Sequence, residues 1–180
     1  MKLVFALVLL FAAAVLYMLH GEPQYDDTLI AHFPVDSKAD MTRKVIEGPH
    51  TIDRAVSSDG NGSLRIDATG AQLVELYRFW GEEEDVSFRK LVYAADARTE
   101  GVEGDVYLVM QAGLTSVPGA SISVVGADAA VRGTNDWATL EAAAGNPGGS
   151  HLLETTLQLH IGGPGTVWID NVKLIKRQTL

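Results

Sequence analysis

Four consecutive acids, Glu82-Glu83-Glu84-Asp85, form the densest run of reactive side chains in the sequence, and their spacing is wrong for catalysis. Glycoside hydrolysis needs two carboxyl groups facing each other across a cleft at a fixed separation, one of them with a raised pKa. Consecutive residues point in different directions in any backbone, so this run reads as a solvated acidic loop. Nucleophilic chemistry fares no better. Ser57 and Ser58 lack the glycine-x-serine-x-glycine elbow, and none of His20, His32, His50, His151 and His160 sits where a general base would be marked. No two of these histidines have zinc-ligand spacing, and the chain has no cysteine, which also removes disulfides and thiolate metal sites. The sequence reads as that of a non-enzyme.

Charge narrows the partners. With 23 Asp and Glu against 14 Lys and Arg, the net charge is −9. Binding to phosphate takes Lys and Arg to displace counterions, so neither nucleic acid nor an anionic lipid headgroup is expected as a ligand. Membrane contact is expected only at the N-terminus. There Lys2 precedes an uncharged, mostly apolar run from Leu3 to Leu19, which ends at His20-Gly21-Glu22-Pro23. As a helix of about 1.5 Å per residue this run would be about 26 Å long, within the range for spanning a bilayer. Tyr17, Met18, Leu19 and His20 occupy the positions where a cleavage site wants small residues, so an uncleaved anchor is favoured over a cleaved signal peptide. Lys2 before the run and Asp26-Asp27 after it put the globular part on the extracytoplasmic side, periplasmic or extracellular. Residues 1–20 are thus anchor or signal, 21–27 a short linker, and 28–176 one domain.

That domain reads as all-β. Nine short apolar or alternating runs (TLIAHF, SLRIDA, QLVELYRFW, SFRKLVYAADAR, DVYLVMQA, ASISVVGA, WATLEAAA, LLETTLQLHI and TVWIDNVKLI) are separated by Gly, Pro, Asn and Asp. Leu108, Met110 and Ala112 alternate with Tyr107, Val109 and Gln111. Leu153, Thr155, Leu157 and Leu159 alternate with Glu154, Thr156, Gln158 and His160. Half-buried strands of this kind pack as two antiparallel sheets face to face, so the expectation is a two-sheet jelly-roll sandwich behind one N-terminal helix. In the last run, Val167-Ile169 and Val172-Leu174 cannot both face inward under strict alternation. A β-bulge at Asp170-Asn171 is therefore predicted.

Three stretches in order, SSDGNGSLRID (57–67), VRGTNDWATLEA (131–142) and GGPGTVWIDNVKL (162–174), resemble the jelly rolls of carbohydrate-binding modules, also called galactose-binding-domain-like sandwiches. The resemblance spans most of 28–176. It implies the sandwich fold, glycan binding, and a structural calcium between the first and last strands. Among the ligands of that calcium would be the Asp of the closing Trp-x-Asp, here Asp170. The family's usual acidic partner in the first strand is replaced by AHFPVDS, which leaves Asp36 as the substitute, with Asp59 as a further candidate. An oxygen-only calcium site suits a cysteine-free chain. The alternative is that Asp170 only bonds backbone groups left unpaired at the bulge.

For glycan binding, the device needed is an exposed aromatic ring against the apolar face of a sugar, flanked by hydrogen-bonding side chains. Tyr77, Trp80, Tyr93 and Tyr107 lie in the central strands where the family carries such platforms. Gln111 shares a face with Tyr107, and Asp96 with Arg98. Trp137 and Trp168 belong to the shared motifs and read as packing residues. The alternative function is a structural or adaptor sandwich docking another envelope protein.

Overall fold

The computed structural model describes residues 25–37, 40, 50–80, 90–114, 121–145 and 151–179. The predicted anchor, the linker up to residue 24 and the acidic run at 82–85 lie outside the described residues. Among the described residues no helix is long and apolar enough to cross a membrane.

The described chain is all-β. Its strands are β1 (Tyr25–Phe33), β2 (His50–Asp53), β3 (Ser63–Ala68), β4 (Gln72–Trp80), β5 (Lys90–Leu114), β6 (Ser121–Val125), β7 (Val131–Gly145), β8 (Leu152–Ile161) and β9 (Gly165–Thr179), with one 3-10 turn at Ala127–Ala129. All pairings are antiparallel. From Lys90 to Glu100, β5 lies between β9 and β7, and β9 is bordered on its other side by β3 and β1; β2 extends this sheet beyond β3. From Val106 onward β5 pairs with β8, which in turn carries β4, and with β6. One long strand therefore belongs to both layers of a β-sandwich. Leu64, Ile66, Leu91, Leu140, Val167 and Ile169 from the first layer share one core with Val74, Leu76, Leu108, Met110, Leu157 and Leu159 from the second. These are the alternate positions of each strand, and their burial is what holds the layers together.

Several boundaries differ from the sequence expectation. The two runs SFRKLVYAADAR and DVYLVMQA, read as separate strands, form the single β5, because β7 runs beside them through the intervening glycines: Val102 lies opposite Gly133 and Asp105 opposite Arg132. Gly101 has φ +62°, a left-handed value at which the strand bends, and the register with β7 shifts there, between Thr99 and Val102 and again between Val102 and Asp105. Strand β1 starts ahead of the domain boundary expected at residue 28, since Tyr25, Asp26 and Asp27 already pair with Thr179, Gln178 and Arg177. Arg177 fixes that end with two bonds of 2.8 Å to Asp27, whose carboxyl it holds below the ordinary range. Strand β2 went unread because HTID has one apolar residue and so no period. Leu153, expected on the buried face, is 47% exposed while Leu152 is buried; β8 carries one extra residue opposite Ala112 to Leu114, which reverses its facing there.

The predicted bulge in the last strand is present. Ala94 lies opposite Lys173 but Asp96 opposite Asp170, so β9 holds one residue more than β5, and Asn171 has φ +51°. Val167, Ile169, Val172 and Leu174 are all buried as a result.

A carboxylate cluster and a polar outer face

The bulge decides where Asp170 points. Its side chain is fully buried, yet beside it lie Asp36, half-buried, and Asp59, exposed; one carboxylate oxygen of each lies within 4.8 Å of the others. Asp36 arrives on the segment that leaves β1, where Val35 takes φ +57° and Pro34 O accepts from the Asn171 N–H at 3.4 Å. That segment is close to Gly62, where a Cβ would lie 3.0 Å from Asp36 O, so the glycine is needed both for space and for its φ of +138°. Asp59 sits on the tight DGNG turn. There Ser57 Oγ accepts from the N–H groups of Gly60 (2.6 Å) and Asn61 (3.0 Å), and Asp59 Oδ1 accepts from Asn61 N–H (2.9 Å). The three residues chosen from the sequence as metal ligands are therefore brought together from three distant segments.

The electrostatics of the cluster is uneven. Burial, then the charges of Asp59 and Asp170, push the Asp36 carboxyl above its ordinary range. Asp36 Oδ1 is buried without a hydrogen-bond partner. Asp59 is held below its range, chiefly by the Asn61 N–H. Asp170 is the best satisfied: the Ser58 N–H and Oγ–H donate to its Oδ2 at 2.8 and 2.9 Å, and the Asn171 N–H to its Oδ1 at 2.7 Å. Asp170 thus binds backbone at the bulge and also faces the cluster. An all-oxygen donor set with one orphaned buried oxygen and three clustered carboxylates fits a hard divalent cation.

The aromatic candidates separate into two groups. Tyr93 cannot serve as a sugar platform, a correction to the sequence reading, because it is fully buried in the core. Burial pushes its hydroxyl well above the ordinary phenol range, and the hydroxyl has no partner. Tyr77 is likewise turned away from solvent: it packs on the core and stacks on Phe33, with ring centroids 3.4 Å apart. The cause is a bulge in β4. Glu75 lies opposite Gln158 but Tyr77 opposite Leu157, and the extra residue reverses the alternation. Beyond the bulge Tyr77 and Phe79 turn inward, while Arg78 and Trp80 turn outward.

Trp80, Tyr107 and Gln111 share the outer face of the layer formed by β4, β8, β5 and β6. The register lays this face out in rows. Leu73, His160 and Tyr107 form one; Glu75, Gln158 and Val109 the next; Arg78, Thr156, Gln111 and Ser123 the third; Trp80 lies opposite Glu154 at the end. Trp80 is 63% exposed. Tyr107 stacks on His160 with centroids 4.4 Å apart. At the third row lies a groove of about 380 Å³ lined by Arg78, Gln111, Ser121, Ser123, Glu154 and Thr156. Arg78 is held by Glu75 (3.0 and 2.9 Å) and by Glu154 (3.2 Å). Arg78 and Glu75 were not singled out in the sequence, where no facing was assigned along QLVELYRFW.

On the opposite layer a depression of about 580 Å³ is lined by Thr51, Asp53, Arg54, Arg65 and Asp67, and the tryptophan beside it is covered. Trp168 is buried under Arg65 and Arg98, whose guanidinium carbons lie 5.3 and 5.7 Å from its ring centroid, and its Nε1–H donates to Asp53 Oδ2 at 3.0 Å. This agrees with a packing role. Asp96, read as a polar partner beside Arg98, instead accepts from Asn171 Nδ2 and Thr139 Oγ1, with Ser58 Oγ 3.1 Å away, and so braces the bulge.

No protein-family model matches the chain, and no curated protein sequence matches it significantly. Solved structures do. The chain is similar to the CBM22-1 xylan-binding domain from Paenibacillus barcinonensis Xyn10C, with TM-score 0.59 and 9% identity over 85% of this chain and 96% of that one. It is also similar to the C-terminal family 22 carbohydrate-binding module of Clostridium thermocellum Xyn10B (TM-score 0.57, 14% identity, 84% and 96%). A third similar structure holds the CBM22-1 and GH10 modules of the same enzyme complexed with xylohexaose (TM-score 0.59, 13% identity, 82% of this chain and 28% of that). The fold is the β-sandwich of carbohydrate-binding modules.

Proposed function

We propose that this protein is a non-catalytic glycan-binding module. The observation that carries the reading is the outer face of the β4-β8-β5-β6 layer, where a polar groove lined by Glu154 lies next to that residue's exposed cross-strand neighbour, Trp80, on a face that also carries the Tyr107–His160 stack. Trp80 offers a flat apolar surface to a sugar ring, while Gln111, Thr156, Ser121 and Ser123 offer amide and hydroxyl groups to its hydroxyls. Among the described residues only one carboxylate, Glu154, lines the groove, where glycoside cleavage requires a pair. Binding here retains or positions a glycan without breaking a bond.

Asp36, Asp59 and Asp170 are the proposed calcium ligands. Bound there, the ion supplies positive charge that offsets three neighbouring carboxylates. The residues themselves join the segment after β1, the DGNG turn and the closing strand, so the role is structural. Residues 1–20 are the proposed membrane anchor, which would display the module on the extracytoplasmic side; Lys2 before the apolar run and Asp26-Asp27 after it support that orientation.

Affinity electrophoresis of the full chain through gels containing xylan, mannan or soluble cellulose derivatives tests the binding reading. Retardation in at least one neutral glycan is expected. Unchanged mobility in all of them would overturn it and leave the envelope-protein adaptor as the surviving function.

A further inference from the structure

We infer that the groove selects uncharged sugar chains and rejects chains of uronic acids, a selection that rests on the glycan-binding reading and follows from how Arg78 is held. Recognition of a carboxylate-bearing sugar calls for a guanidinium or ammonium free to make charge-assisted bonds, preferably a bidentate pair. Arg78 is the one cation among the described residues lining the groove. Its Nε and Nη2 donate to Glu75 at 3.0 and 2.9 Å, and its Nη1 pairs with Glu154 at 3.2 Å. The Nε–Nη2 edge that would grip an incoming acid side-on is thus taken by Glu75, and the charge of the guanidinium is already shared between two carboxylates of the same face.

The charge balance points the same way. One guanidinium against two carboxylates leaves this part of the face with a net negative charge, in a chain whose own net charge is −9. Glu154 is 47% exposed and is the outermost of the three, opposite Trp80, so a uronate stacked on Trp80 would meet a like charge. The neighbouring side chains Gln158, Thr156, Gln111, Ser123 and Ser121 add no fixed positive charge. They do match hydroxyls. A sugar hydroxyl both donates and accepts, so it can donate to Glu154, whereas a carboxylate only accepts and cannot.

The test is calorimetric titration of the full chain with xylohexaose, mannohexaose and cellohexaose as neutral probes and hexagalacturonate as the anionic one, at low and high salt. At low salt at least one neutral chain should bind about tenfold or more tighter than hexagalacturonate. The gap should narrow in about 0.5 M salt, where charges are screened within a few ångströms, while neutral binding changes little. Glu154→Gln should raise affinity for hexagalacturonate several-fold at low salt. Hexagalacturonate binding as tightly as the best neutral chain at low salt, or an unchanged anionic affinity in Glu154→Gln, would overturn the selection while leaving glycan binding intact. Failure of every probe, neutral and anionic, would overturn both.

Discussion

Replacing Asp170 by alanine is expected to lower the melting temperature by about 10 °C and to abolish any response of melting to calcium. The side chain is fully buried and accepts three hydrogen bonds, two from Ser58 and one from Asn171. Removing a charged acceptor strands donors away from water, at a net cost of about 3 kcal/mol or more. For a domain of this size each kcal/mol moves the midpoint by roughly 2–4 °C. Calcium adds a separate term: a ligand bound only by the folded state contributes about 2.7 kcal/mol at a hundredfold excess over its dissociation constant. The two contributions part company in Asp59→Ala. Asp59 is exposed and bonds only within its own turn, so this variant should melt close to the parent in chelator but gain less from calcium. Differential scanning fluorimetry with chelator and with millimolar calcium reads both. Identical melting of the parent in the two conditions would reduce the cluster to a hydrogen-bonding hub.

Trp80→Ala should weaken glycan binding by about 30-fold, the roughly 2 kcal/mol typical of removing an aromatic anchor from a binding surface, with little change in melting. The separation of effects follows from exposure, since 63% of Trp80 faces solvent and its loss leaves no cavity in the core. Tyr93→Phe is the contrasting variant. It removes a buried hydroxyl that has no partner, so binding should be untouched and stability equal or slightly higher. Affinity by calorimetry beside thermal melting on both variants checks the pair. A Trp80→Ala protein that binds like the parent would take the platform away from this face.

Alternation alone made much of the sandwich legible. It turned Leu108 and Met110 inward and Gln111 outward, and the clash of parity across Val167 to Leu174 located the bulge at Asp170-Asn171 without any partner strand in view. The metal candidates were legible by resemblance, and their meeting depends on that bulge and on the DGNG turn, both visible in the sequence. What stayed hidden was register. The β4 bulge between Glu75 and Tyr77 is marked by no glycine, proline or polar interruption; it exists because two strands pair with unequal residue counts. It turns Tyr77 in and Arg78 out, so a choice of aromatics made by strand and resemblance, with no register in view, misplaced one platform and passed over the cation that lines the groove. Tyr93 was misread for a different reason. A tyrosine in a strand buried on both sides, between β7 and β9, looks locally like a tyrosine on an outer face, and only the three-dimensional packing distinguishes them.

The most direct test of the central claim is an amide and indole NMR titration of the full chain with xylohexaose, mannohexaose and cellohexaose. The predicted result, with whichever chain binds, is a set of shifts confined to one face, including the Trp80 indole and the amides of Arg78, Gln111, Ser123 and Thr156, while Trp168 and Asp170 stay still. Shifts centred instead on Trp168, Arg65 and Arg98, or no shifts with any of the three, would contradict it.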